Sequence, residues 1–103
     1  LESPFDRQAK RLSKKYGSLK IDLLALFQSL EKQPIQGTAL GKNCYKIRLA
    51  IGSKKQGKSG GARIVTCVRV TAETVFLLTI YDKSEKGDLE PNELNDLLQQ
   101  LPD

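Results

Sequence analysis

The spacing of apolar residues changes from a helical to a strand period in the middle of this chain, and that change limits the possible folds more than any other feature. Up to about residue 34, apolar side chains recur every three or four residues, which is the pattern of one helical face. From Cys44 onward they alternate with polar side chains, which is typical of strands. The order of helix, helix, strand, strand, strand and final helix predicts an α+β fold with an antiparallel sheet.

The first helix carries signals at both of its ends. Ser3 can cap it, Pro4 fits its first turn, and Asp6 completes a capping box. Gly17 can adopt the left-handed conformation that ends a helix. The apolar stripe of this helix consists of Phe5, Ala9, Leu12 and Tyr16.

A second helix repeats this plan and ends at Pro34. Its apolar stripe consists of Leu19, Leu23, Leu26 and Leu30. Because only the short segment around Gly17 separates the two helices, they are predicted to form a helical hairpin.

Three strands are predicted after a loop that contains Gly37 and Gly41. CYKIRLAI places Tyr45, Ile47, Leu49 and Ile51 on a core face, and ARIVTCVRV places Ile64, Val68 and Val70 there. TVFLLTIY is apolar at nearly every position, which predicts a central strand covered on both faces. A last helix is predicted with Pro91 at its first position, and its leucine stripe consists of Leu94, Leu97, Leu98 and Leu101.

The stretch GSKKQGKS, residues 52–59, matches the phosphate-loop pattern G-x-x-x-x-G-K-[ST], and Asp82 resembles the magnesium ligand of such enzymes. A phosphate loop needs a helix after it, because the helix N-terminus binds the phosphate. Here Gly60 and Gly61 lead directly into the next strand. We therefore predict an antiparallel hairpin with a basic loop rather than a nucleotide hydrolase. Its lysines, Lys54, Lys55 and Lys58, either follow an RNA backbone or form a solvated hairpin tip.

The positive charge is concentrated in the first part of the chain. Residues 1–63 contain 14 Lys or Arg and 4 Asp or Glu, whereas residues 64–103 contain 3 and 8. The net charges of +10 and −5 indicate either an anionic partner on one surface or simply an uneven distribution.

Strand alternation places several cations on one side of the sheet. Lys46 and Arg48 lie on the same side of one strand, roughly 6.6 Å apart. Arg63 begins the next strand on its non-core side, and Lys83 follows Tyr81 with the same parity. Such clustering is destabilising unless an anion lies between the cations. The alternative is an ordinary solvated sheet face.

Composition restricts the chemistry that such a cluster could perform. The chain has no His, and no group of residues has the spacing of a metal site, so we predict neither a metal nor a cofactor. Phosphoryl chemistry on a polyanion remains, because a Lys among cations can act as a base and an Arg can stabilise the charged phosphorane.

The chain of 103 residues is expected to form one domain, residues 1–103. No apolar run approaches the roughly 20 residues of a membrane span, and no secretory signal opens the sequence. Cys44 and Cys67 are scattered within apolar stretches, which predicts reduced thiols in a cytoplasmic protein.

Four stretches of the sequence together resemble a known family. CYKIRL, GKSGGAR, FLLTIYDKSEK and LEPNEL are similar in order and spacing to the RelE/HigB branch of the RelE/ParE toxin superfamily, and the likeness extends from Phe5 to Leu101. It implies an antiparallel sheet packed on the helical hairpin. It also implies a ribosome-dependent mRNA endoribonuclease that inhibits translation. The implied partners are the ribosome, mRNA and a cognate antitoxin, expected to be a helix-turn-helix protein encoded by the neighbouring gene; DNA would be reached only through that antitoxin.

The resemblance also implies roles for individual residues. Lys46 matches the strand lysine proposed as the base for the 2′-hydroxyl, and Arg48 matches the cation two positions later. Arg63 matches the arginine that opens the next strand and stabilises the scissile phosphate.

Three parts of the sequence depart from the family pattern. Relatives carry an Arg after the third strand, where DKSEK leaves Lys83 or Lys86 as substitutes. Some also have a Tyr or His near the C-terminus, which this chain lacks, so Lys83 or Tyr81 is the expected acid for the leaving group. Members begin with a strand before the first helix, for which only residues 1–2 remain here.

Two other functions are compatible with these residues. A ParE-type toxin poisons DNA gyrase without being an enzyme, and a basic RNA-binding module has no activity. Lys46, Arg48 and Arg63 discriminate between the possibilities, because cleavage requires all three whereas binding tolerates exchange of Lys and Arg.

Overall fold

The computed structural model describes residues 3–54 and 57–102, and of Lys58 and Ser59 it describes the backbone alone. The elements are α1 (Pro4–Lys15), α2 (Leu19–Lys32), β1 (Thr38–Gly41), β2 (Cys44–Leu49), a 3₁₀ turn (Gly52–Lys54), α3 (Gly57–Gly60), β3 (Ala62–Arg69), β4 (Thr74–Asp82) and α4 (Glu93–Gln99). The strands form one antiparallel sheet in the order β1-β2-β3-β4. The predicted α+β class is confirmed.

The start of α1 follows its sequence signals, but its end does not. Ser3 Oγ accepts a hydrogen bond from Asp6 N at 3.2 Å, which satisfies one of the free N–H groups of the first turn. The helix ends because Tyr16 adopts an extended backbone, with φ of −124°. Gly17 is not among the described residues with positive φ, so the predicted left-handed stop is wrong. The chain instead turns at once into α2, where Leu19 N donates to Tyr16 O at 3.2 Å.

The helical hairpin packs on one face of the sheet, as the two apolar stripes predict. All four leucines of the α2 stripe are buried. This core consists of Phe5, Leu12, Leu19, Leu23, Leu26, Leu30, Ile47, Ile51, Ala62, Ile64 and Ile80. A fully buried Leu or Ile contributes about 1.5–3 kcal/mol, so this face supplies much of the stability.

The structure contains one strand that the sequence pattern did not predict. β1 lies within the predicted loop and pairs with β2, with Thr38 opposite Lys46. It is only 4 residues long and largely exposed, so it has no apolar alternation to reveal it. Gly37 lets the chain approach β2, because its φ is 93° and a Cβ there would lie 2.2 Å from Lys46 O.

Three further sequence predictions are wrong: the place of β4 in the sheet, the burial of Val70 and the first residue of α4. β4 lies at the edge of the described sheet rather than at its centre, and its apolar side chains reflect the helices that pack on both faces. Val70 is 74% exposed, because it follows β3 and lies in the turn to β4. α4 begins at Glu93 rather than Pro91, since Asn92 before it has a left-handed backbone with φ of 67°.

The second face of the sheet is partly covered by α4. Its core combines strand residues with one leucine of that helix, namely Cys44, Val65, Cys67, Leu78 and Leu97. The two cysteines are Cα partners on β2 and β3, and both are buried free thiols. The alternation therefore correctly placed the cysteines on the face opposite the helical hairpin. That face is not an open solvated surface, because α4 covers part of it. No helix in the described ranges is long and apolar enough to cross a membrane.

β2 and β3 are antiparallel, so their connection is not the parallel strand–loop–helix crossover of a phosphate loop. The connection contains two short helical turns, the 3₁₀ turn and α3, where the sequence showed no helical pattern. Gly61 closes this connection against β2, because a Cβ there would lie 2.1 Å from Leu49 O.

We predict that residues 52–59 bind neither ATP nor GTP. Antiparallel flanking strands and a helix of 4 residues do not reproduce the strand–loop–helix arrangement that binds phosphate. Calorimetry with millimolar nucleotide is expected to show no heat of binding with or without magnesium. Magnesium-dependent binding that Lys58→Ala abolished would overturn this interpretation.

Candidate active site

Three side chains form a row across the second face of the sheet, close to one end of its strands. Arg48 on β2 lies opposite Arg63 on β3, and Arg63 lies opposite Tyr81 on β4. Directly opposed residues have Cβ atoms about 4.5–5.5 Å apart, so the two arginine side chains start from adjacent positions on one face. Like charges in opposed positions are destabilising, and an anion bound at this row would relieve that cost.

Arg63 differs from Arg48 in its surroundings. Arg63 is 6% exposed and its Nη1 donates to Ala62 O at 3.2 Å, whereas Arg48 is exposed. Gly61 and Ala62, both buried, bring the start of β3 against the neighbouring strands. The site therefore has one guanidinium held within the fold and one at the surface.

Lys46 extends the row along β2, two positions from Arg48. Its Nζ lies 3.2 Å from Asp88 Oδ1, so an acidic residue of the segment after β4 contacts the proposed base. The Leu89 backbone N–H, and next the Lys46 ammonium, hold the pKa of Asp88 below its usual value. The Asp88 side chain is 67% exposed, so this contact is a surface ion pair.

Lys83 and Lys86, the lysines of DKSEK, both bond within the segment after β4. Lys83 Nζ donates to Gly87 O at 2.5 Å. Lys86 Nζ lies 2.7 Å from a carboxylate oxygen of Glu93 and 5.7 Å from the centre of the Tyr81 ring. The structure thus brings Lys46, Arg48 and Arg63 together on one face of two strands, as predicted, whereas Lys83 lies in the loop after β4, where its charge acts on Asp88.

Tyr81 completes the row with an unusual hydroxyl group. The residue is 5% exposed, and its hydroxyl is buried without a hydrogen-bond partner among the described residues. Burial, and next the negative charge of Asp88, raises the pKa of Tyr81 to about 12. The hydroxyl is therefore protonated at neutral pH and can donate a hydrogen bond.

One of the loop lysines has a role that the sequence did not suggest. Lys54 has a side chain that is 9% exposed, and its Nζ lies 2.6 Å from Asp82 Oδ1. This ion pair gives Lys54 a structural role within the fold, and its contact with RNA remains a prediction. Lys55 lies outside the described residues, and so does the side chain of Lys58.

Asp82, which the sequence suggested only as a magnesium ligand, is the centre of a buried polar cluster. The residue is fully buried and accepts hydrogen bonds from Tyr16 Oη at 2.5 Å and Ser84 Oγ at 2.7 Å, besides Lys54. Burial alone would raise the pKa of Asp82, but the hydrogen bonds outweigh it and hold the pKa well below its usual range. Asp82 therefore ties α1 and the 3₁₀ turn to the end of β4. The sequence did contain a signal for this role, because Asp82 directly follows an apolar strand and is therefore placed close to the core.

The acidic part of the chain neutralises some of the basic part within the molecule. Glu85 lies 2.8 Å from Arg11 and 3.2 Å from Lys15, and Asp88 contacts Lys46. The uneven charge along the sequence is thus partly balanced in space. Within residues 3–54 and 57–102, no group of three or more His, Cys, Asp or Glu is arranged to hold a metal ion.

A comparison with protein-family models gives one match. The family described as "RelE toxin of RelE / RelB toxin-antitoxin system" matches residues 5–101. The matched range contains both helices of the hairpin, all four strands and α4. It also contains every residue of the candidate site.

Proposed function

Because the chain belongs to the RelE toxin family, it is the toxin of a toxin–antitoxin pair, and we propose that it inhibits translation by cutting mRNA. The observation that carries this proposal is the row in which buried Arg63 lies between Arg48 and Tyr81, beside Lys46. A fold that gathers these cations on one face is suited to bind the phosphodiester of a nucleic acid.

The residues in the row are suited to attack by the RNA itself on the adjacent phosphorus. Lys46, once it has released Asp88 and lost a proton to water, accepts the proton of the 2′-hydroxyl as a neutral amine, while the 2′-oxygen forms a bond to phosphorus and the bond to the 5′-oxygen breaks. Arg63 donates hydrogen bonds to the phosphoryl oxygens, where negative charge accumulates in the transition state. The products are a 2′,3′-cyclic phosphate and a 5′-hydroxyl. DNA is not cut, because it lacks the nucleophile.

RNA has to compete with Asp88 for Lys46 in this mechanism. A surface ion pair contributes at most about 1 kcal/mol, so a phosphate that also contacts Arg48 and Arg63 can replace the carboxylate. Lys83 adds positive charge near Asp88, and we propose that Lys55 and Lys58 bind the RNA backbone.

Family membership implies an antitoxin partner of the RelB type. We propose that this antitoxin is a helix-turn-helix protein encoded by the neighbouring gene, and that the toxin reaches DNA only through it. The proposed substrate is mRNA on the ribosome, so the toxin acts in the cytoplasm without a cofactor.

Induction of the toxin without its antitoxin is expected to arrest growth and to cut mRNA within translated codons. Primer extension on RNA from translating cells locates the cuts. End-group analysis is expected to show the cyclic phosphate and the 5′-hydroxyl, and added chelator is not expected to change the pattern. A DNA strand of the same sequence serves as the control and is expected to remain intact.

A different result would favour a different member of the superfamily. Growth arrest with intact mRNA, together with DNA breaks that depend on gyrase, would contradict the nuclease and indicate a ParE-type inhibitor. RNA binding without arrest or cleavage would indicate a non-catalytic module.

A further inference from the structure

We propose that Tyr81 is a catalytic residue of this nuclease and donates the proton to the 5′-oxygen that leaves. This inference rests on the proposed function and deepens it, because the sequence left the acid open between Lys83 and Tyr81. The observation that carries it is a hydroxyl group that is buried, lacks a partner among the described residues, and belongs to the row that contains Arg63.

An unpartnered hydroxyl in the interior needs an explanation. Most buried polar side chains have a partner, because an unmade hydrogen bond destabilises the fold. A phenylalanine would fill the same space at this position without that cost. The hydroxyl is accounted for if its acceptor is a ligand that the free protein does not contain.

The surroundings of the hydroxyl indicate what kind of ligand this is. Arg63 lies opposite on β3, and its positive charge acts on the phenol. The carboxylates of Asp88, in the loop after β4, and of Glu93, in α4, act on it with negative charge, and Asp88 is the acceptor beside the hydroxyl whose place a phosphate would take. We place the phosphodiester between Arg63 and the hydroxyl, where its charge takes the place of the Asp88 carboxylate on Lys46.

Tyr81 suits the leaving oxygen better than Lys83 does. Lys83 Nζ is already bonded to Gly87 O at 2.5 Å, within its own loop. Tyr81 carries its proton at neutral pH, as tyrosines do, and burial raises its pKa further, so it can donate a proton but is not available as a base. As the bond from phosphorus to the 5′-oxygen breaks, the phenol proton passes to that oxygen. The phenolate then takes up a proton from water and the Lys46 ammonium releases one to water, which restores both groups.

The test compares two RNA substrates in single-turnover cleavage on programmed ribosomes, at a site first mapped by primer extension. One has the natural 5′-oxygen at the scissile bond, and the other has a bridging 5′-sulfur, which leaves as a thiolate without needing an acid. Tyr81→Phe is expected to slow cleavage of the oxygen substrate by roughly 10²–10⁴-fold. On the sulfur substrate it is expected to cleave at close to the wild-type rate.

Two control variants separate catalysis from folding. Tyr45→Phe changes a tyrosine on β2 outside the row and is expected to leave cleavage of both substrates unchanged. Arg63→Ala is expected to be slow on both substrates, because it affects the phosphoryl oxygens and not the leaving group. Thermal unfolding of Tyr81→Phe is expected at the wild-type temperature or above, since the fold loses no described hydrogen bond.

Each outcome decides for or against the inference. If Tyr81→Phe cleaves the oxygen substrate within about threefold of wild type, well below the usual effect of an acid, Tyr81 is not catalytic. If it is equally slow on both substrates, it only positions the RNA, and the inference is wrong. If wild-type protein cleaves neither substrate, the proposed function fails before the question of the acid arises.

Discussion

Asp82→Asn is expected to lower the free energy of unfolding by about 3–5 kcal/mol, the usual effect of breaking a buried ion pair. The carboxylate is fully buried and accepts hydrogen bonds from Tyr16, Lys54 and Ser84. An amide is nearly the same size but carries no charge. The Lys54 side chain, 9% exposed, would then remain in the fold without the counterion of its ammonium group. Urea unfolding followed by circular dichroism measures the change.

Glu85→Gln is the matched control for this prediction. Glu85 also joins the end of β4 to α1, through Arg11 and Lys15, but its side chain is 36% exposed. Exposed ion pairs contribute about 0–1 kcal/mol, so the control should unfold close to the wild type. Equal stabilities for the two variants would show that Asp82 does not organise the fold.

The Asp82 cluster also predicts how stability depends on pH. Its pKa is lower in the folded protein than the value of about 3.9 in an unfolded chain, so the unfolded state binds more protons in acid. The stabilisation is therefore complete above about pH 4 and is lost as the pH falls below that value. The unfolding free energy of the wild type should fall more steeply in acid than that of Asp82→Asn. Parallel curves would contradict the assignment.

Arg63→Ala is expected to slow RNA cleavage by about 10²–10³-fold, equivalent to roughly 2.7–4 kcal/mol of transition-state stabilisation, as for loss of one oxyanion donor. Arg63→Lys is expected to restore little, because a point charge does not replace the planar guanidinium on a phosphate. Single-turnover cleavage on ribosomes and growth on induction are the measurements. Normal cleavage by Arg63→Ala would remove Arg63 from the mechanism.

Arg69→Ala is the matched control for Arg63→Ala. Arg69 lies on the same strand and the same face, but at the other end, where its guanidinium lies 5.5 Å from the centre of the Phe76 ring. It should cleave RNA at the wild-type rate. Because Arg63 is buried, thermal unfolding of both variants should be compared before a loss of activity is attributed to chemistry.

Some features followed directly from local patterns in the chain. The leucine stripe of α2 and the cap at Ser3 depend on residues a few positions apart, so the sequence predicted them correctly. The alternation along β2 and β3 also placed Lys46, Arg48 and Arg63 on one face. Within one strand, the period of two residues alone determines which side chains point to the same face.

Predictions failed where a residue's role depends on distant parts of the chain. Lys54 looked like a solvated loop lysine, but Asp82, 28 positions away, binds it in the interior. β1 has no pattern of its own and exists because β2 offers it a partner. β4 is apolar because helices cover both faces, and no sequence period distinguishes that from a central position.

The sequence by itself determined the two kinds of element, their order, and which side chains share a strand face. Tertiary structure alone decided the register that sets Arg48, Arg63 and Tyr81 in one row, and the placement of Asp88 on Lys46. The physical reason is the range of the interactions. Periodicity and capping act between neighbours in the chain, whereas register and buried ion pairs depend on segments that meet only when the core closes.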